Sequence, residues 1–72
     1  MLRKFLVVYE ETKTGYSAYV PDLPGVIATG KARANVEKNI FSAIQFHLEG
    51  LKEGKMRIPR TQADSEVLVF AL

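Results

Sequence analysis

Residues 15–30 read GYSAYVPDLPGVIATG, and they decide the fold. Tyr16, Ala18 and Val20 alternate with Ser17 and Tyr19, the two-residue period of a β-strand. Pro21-Asp22-Leu23-Pro24-Gly25 then stops that strand. Its two prolines remove two backbone donors and fix two φ angles. The Asp22 carboxylate can hold an Asx-turn, and Gly25 is free to take a positive φ. Residues 26–29, VIAT, restart an extended run, and Gly30 ends it. The stretch is therefore two strands joined by a stiff, proline-built connection.

Upstream, residues 3–10 form a strand that is apolar on both sides. Phe5, Val7 and Tyr9 point one way, and Leu6 and Val8 the other, as in a central strand. The polar run 11–15, ETKTG, makes a hairpin connection, so the first two strands pair antiparallel. The third strand, 26–29, is short and belongs at an edge.

Downstream, residues 32–53 form one long helix. Val36, Ile40, Ala43, Ile44, His47, Leu48 and Leu51 make an apolar stripe, with Lys38, Ser42, Gln45, Glu49 and Lys52 opposite. At ~1.5 Å per residue the helix is about 30 Å long, enough to cross a four-stranded sheet. Ala32 stands where a capping Ser, Thr or Asp is expected, and Asn35 offers a later substitute. Gly54 suits the position just past the helix end, where Lys52 and Lys55 complement the dipole. Residues 56–63 are a loop with Ile58 extended before Pro59. The last strand, residues 66–72, is again apolar on both sides. A right-handed crossover through the helix delivers this strand parallel to the first. The expected fold is α+β, β-β-β-α-β, with a four-stranded mixed sheet in the order 3-2-1-4 and the helix on one face.

One helix covers one sheet face and leaves the other open. Exposed apolar surface of this kind marks an association site, so a homodimer or a permanent partner is expected. The length of 72 residues allows one domain, 1–72, and a domain this size buries only ~60% of its unfolded surface. With 47% hydrophobic residues the chain packs a core rather than staying disordered. The absence of cysteine excludes disulfides, thiolate zinc sites and cysteine nucleophiles, and fits a cytoplasmic protein. No apolar run reaches the ~18 residues of a membrane span, and the run 5–9 is too short for a signal peptide and is followed by Glu10-Glu11. The formal charge of +2 is weak evidence for direct nucleic-acid binding.

The titratable residues argue against catalysis. Metal-dependent phosphodiester cleavage needs carboxylates converging on a divalent ion. Glu10 and Glu11 leave the first strand, whereas Asp64 and Glu66 enter a parallel one, so they lie at opposite ends of the sheet. His47 is the single histidine and sits in the apolar stripe, which favours a structural role over a general base or metal ligand. Neither catalytic nor metal-binding residues are assigned, and no cofactor is expected. Lys52, Lys55, Arg57 and Arg60 read as a solvated, dipole-complementing group without an aromatic stacking platform. Tyr16 and Tyr19 face opposite ways, so one packs under the helix and the other lies on the open face, a common place for interface anchors. Asp22 serves equally as a turn former and as a contact in a rigid exposed loop.

The run GYSAYVPDLPGVIATGKARANVEKNIFSAIQFHLEGL, residues 15–51, resembles the N-terminal domain of HicB-like antitoxins. The resemblance rests on Tyr16 and Tyr19, on PDLPG at 21–25, on Gly30, and on the helix ending in a His-Leu-Glu segment at 47–49. It implies a partial ribonuclease H-like fold and an antitoxin that binds and blocks a small, basic, HicA-like RNA-cleaving toxin. Many such proteins carry a C-terminal DNA-binding segment, which a chain ending at Leu72 is expected to lack. Val26 stands where a cysteine is frequent, Ala32 where Thr or Ser caps the helix, and Arg60 where a second proline is common. The expected function is steric neutralisation of the toxin, with Tyr19, Asp22, Leu23 and Pro24 as contacts. The alternative is a solitary homo-oligomeric structural or regulatory protein without a toxin.

Overall fold

The computed structural model describes residues 2–72. Three strands, β1 (Val8–Thr12), β2 (Gly15–Tyr19) and β3 (Ile27–Gly30), precede one helix, α1 (Arg33–Glu53). The sheet is an antiparallel meander in the order β1-β2-β3. Tyr9 pairs with Ala18, which pairs in turn with Ala28. Because side chains alternate, this row and its neighbours Tyr16 and Val20 face one side of the sheet. The row Val8–Tyr19–Ile27 and the row Glu10–Ser17–Thr29 face the other.

The helix lies on the first side, against β3 and β2. The buried core is Ala18, Val20, Leu23, Val26, Val36 and Ile40. Phe5, Val7 and Tyr9 pack on it from one direction and Ala43, Ile44 and Leu48 from the other. Half of that core comes from the proline connection and its flanks, which the sequence reading treated as a surface loop. The helix arrives close to the sheet because Gly30 lacks a side chain: a Cβ there would stand 2.6 Å from the Val36 nitrogen. The Asn39 amide donates to the Thr29 carbonyl at 2.8 Å, and the Arg33 guanidinium sits 3.7 Å above the Tyr9 ring while pairing with Glu37 at 3.1 Å.

Both helix ends depart from ideal capping. Ala32 has the extended backbone of an N-cap but supplies no side-chain bond, so the Val36 nitrogen bonds the Ala32 carbonyl and no side chain caps the first turn. At the other end, Met56 N–H donates to Leu51 and Lys55 N–H to Lys52, the paired bonds of a Schellman motif. The left-handed residue of that motif is Lys55 (φ 53), whereas Gly54 is ordinary (φ −79). The left-handed turn thus falls one residue after Gly54, the position that the glycine in the sequence suggests for it.

The expected four-stranded mixed sheet in the order 3-2-1-4 is not formed. Regular pairing in the first strand begins at Val8 rather than residue 3, although Phe5 and Val7 still pack on the core. Residues 66–72 make no strand. After the helix the chain runs back past the start of β1, where the Thr61 hydroxyl donates to the Lys4 carbonyl and Ala63 N–H donates to Asp22. Beyond these two anchors it leads away from the sheet, with Val67, Val69 and Phe70 at 91%, 92% and 74% exposure. A strand apolar on both sides needs cover on both sides, and one helix already committed to β2 and β3 cannot provide it. Without a fourth strand beneath it, the second half of α1 is only half-buried at Ala43, Ile44, His47, Leu48 and Leu51.

Candidate partner-binding site

The connection from β2 to β3 is two turns in series. Leu23 N–H bonds the Val20 carbonyl at 3.1 Å, and Val26 N–H bonds the Leu23 carbonyl at 3.1 Å. Pro21 and Pro24 each take the second position of a turn, where their fixed φ fits. Gly25 follows Pro24 with φ 85, the conformation that a type II turn needs at its third position. Val20 N–H closes the base of the loop on the Val26 carbonyl at 3.3 Å.

This double turn sends its residues to different places. Leu23 is the joint between the turns and points inward, with no exposed surface. Pro24 and Gly25 are exposed at the tip. Asp22 makes no turn of its own with its side chain; its carboxylate accepts Ala63 N–H at 3.1 Å and latches the loop to the segment after the helix. Tyr19, 40% exposed, stands on the open sheet face beside Ile27 at 65%. Tyr16 packs on the core side, with its hydroxyl 3.4 Å from Glu11. Of the four expected contact residues, Tyr19 and Pro24 are thus available to a partner, Asp22 is half-buried, and Leu23 is enclosed.

Two surfaces flank the loop. One is the open sheet face, with the Val8–Tyr19–Ile27 row beside Glu10, whereas Glu11 pairs with Tyr16 and faces the helix side. The other is an open groove of about 1040 Å³ lined by Pro21 and Asp22 and by Met56, Arg57, Ile58, Pro59, Arg60 and Gln62, with Arg3 on its rim. Arg57 and Arg60 were read from sequence as part of a solvated group. Folding brings Arg3 beside them through the Lys4–Thr61 contact, which no local pattern announces. Among the described residues, no cluster of three or more histidine, cysteine or acidic side chains could hold a metal ion. No helix among them is long and apolar enough to cross a membrane.

A family model described as "HicB_like antitoxin of bacterial toxin-antitoxin system" matches residues 5–68. The chain belongs to the HicB-like antitoxin family. That span takes in the sheet, the double turn, the helix and the segment after it as far as Leu68. A UPF0150 protein of Thermoplasma acidophilum is 36% identical over 69 residues, covering 94% of this chain and 99% of its own length. An uncharacterized protein from the rep-hol intergenic region of Haemophilus phage HP1 is 33% identical over 55 residues, covering 76% of this chain. The HicB-like chain spans 41% of that phage protein's length. No solved structure matches it.

Proposed function

We propose that this HicB-like domain neutralises a small basic HicA-like toxin in the cytoplasm by covering its RNA-cleaving site. The observation that carries the proposal is the open sheet face, where the exposed Tyr19 and Ile27 lie in one row beside the acidic Glu10. An apolar row with an aromatic anchor and a carboxylate beside it suits a basic protein partner. Pro24 extends this surface at the loop tip. Asp22 and Leu23 act from within, by holding the double turn in shape, so the loop meets its partner with little ordering left to do. The role is one of binding rather than catalysis, and the inhibition is steric. The arginine-lined groove has the wrong charge for a basic toxin and stays outside this interface. We further place the protein in a homo-oligomer, because the apolar tail is exposed in a single chain. That tail is also what favours the second reading, a homo-oligomeric protein without a toxin.

Titrating the chain into an RNA-cleavage reaction of the small basic protein encoded beside it tests the proposal. Cleavage should stop near one chain per toxin. Tyr19→Ala should weaken inhibition by about 30-fold, the loss of roughly 2 kcal/mol that a buried interface tyrosine carries. Full inhibition by a folded Tyr19→Ala, Ile27→Asp double variant would remove the open face from the mechanism.

A further inference from the structure

We propose that residues 67–72 pair with the free edge of β1 in a second copy of this chain, each copy giving its tail to the other. The inference refines the self-association proposed above by naming the segment and the edge that carry it.

The tail carries no charged or strongly polar side chain from Val67 to Leu72, a composition that water does not favour. Val67, Leu68, Val69, Phe70 and Leu72 are all among the exposed large hydrophobics. The chain is correspondingly drawn out. Its radius of gyration is 14.1 Å, against about 11 Å for a compact domain of this length, and its longest extent is 49 Å. The root of the tail is held by the Thr61–Lys4 and Ala63–Asp22 bonds, and beyond it the apolar side chains of residues 67–70 stand exposed.

The acceptor is chosen by the pattern of side chains. The sheet has two outer edges, on β1 and on β3. β3 has four residues, and its Thr29 carbonyl is already taken by Asn39. β1 and the extended residues before it present Phe5, Val7 and Tyr9 toward the core side and Leu6 and Val8 toward the open side. The tail offers the same two-sided apolar character, with Val67 and Val69 on one side and Leu68 and Phe70 on the other. A strand laid along β1 would therefore meet apolar neighbours on both of its sides, whichever register it takes. Six residues span about 20 Å, well within the run from Phe5 to the end of β1. Strand addition to an exposed edge satisfies the backbone groups of both partners, and the two-fold reciprocal exchange closes the assembly at two chains. It also leaves the Tyr19–Ile27 row uncovered for another protein.

Light scattering on the full chain, with a Leu68→Asp, Phe70→Asp variant beside it, tests the proposal. The full chain is expected at twice the single-chain mass and the variant at the single-chain mass, with unchanged helical circular dichroism, because neither residue touches the core. A sample mixing ¹⁵N-labelled and ¹³C-labelled chains should show contacts between residues 67–72 and residues 5–9 across the two labels. A dimeric variant, or tail contacts found only with Phe41 and Phe46 on α1, would overturn the exchange while leaving self-association standing. A full chain of single-chain mass would overturn both.

Discussion

Leu23→Ala separates the two roles that the proline connection combines. Leu23 has no exposed surface and joins two turns whose other residues lie outside. Truncating a leucine so enclosed costs about 2–5 kcal/mol, from lost transfer energy and from the cavity left behind. The whole stability of a 72-residue domain is about 4–11 kcal/mol, at roughly 0.05–0.15 kcal/mol per residue. A loss of about 3 kcal/mol should lower the melting temperature by roughly 12–24 °C. The neighbours soften the cost little, since Val20, Val26, Val36 and Ile40 around it are themselves buried and anchored to strand, turn or helix. Urea unfolding followed by circular dichroism measures the effect, with Pro24→Ala at the exposed tip as the comparison. Leu23→Ala should fall by at least 2 kcal/mol and Pro24→Ala by less than about 1 kcal/mol, the scale of a removed φ constraint. A Leu23→Ala loss below about 1 kcal/mol would refute the placement of this side chain in the core. It would return Leu23 to the surface as a contact residue.

Three further substitutions probe the backbone. Gly25→Ala meets no atom within 4 Å but inherits φ 85, so it should cost about 1–2 kcal/mol through backbone strain alone, read from the same urea curves. Lys55→Gly should stabilise by about 0.5–1 kcal/mol, because glycine suits the left-handed position of the Schellman motif; a loss would mean that the Lys55 side chain holds the helix end. Ala32→Ser should add about 1 kcal/mol by supplying the missing side-chain cap, visible as a higher unfolding midpoint without a change in slope.

The meander and the helix were legible because their signals are local. Alternation in GYSAY, the prolines with Gly25, and the Val36–Ile40 spacing each fix a conformation within a few residues. The fourth strand was misjudged because alternation shows that a segment is extended and apolar, not which chain supplies its neighbour. The same ambiguity hid the purpose of PDLPG. Its prolines announce a rigid turn, but only the packed fold shows that Leu23 turns inward and that Asp22 reaches Ala63. Likewise, Arg3 joins Arg57 and Arg60 through contacts between distant parts of the chain, which spacing cannot encode. The period put Tyr16 and Tyr19 on opposite faces without saying which lay outside; burial of Ala18 and Val20 on either side of Tyr19 turns it to the open face.

The open sheet face is the proposed toxin-binding surface. The most direct measurement is the change in backbone amide resonances of the ¹⁵N-labelled chain as the proposed toxin partner is added. Shifts should concentrate at Val8, Glu10, Tyr19 and Ile27, and extend to Gly25 at the loop tip. Shifts confined to Arg3, Arg57 and Arg60 around the groove, or none at saturating toxin, would contradict it.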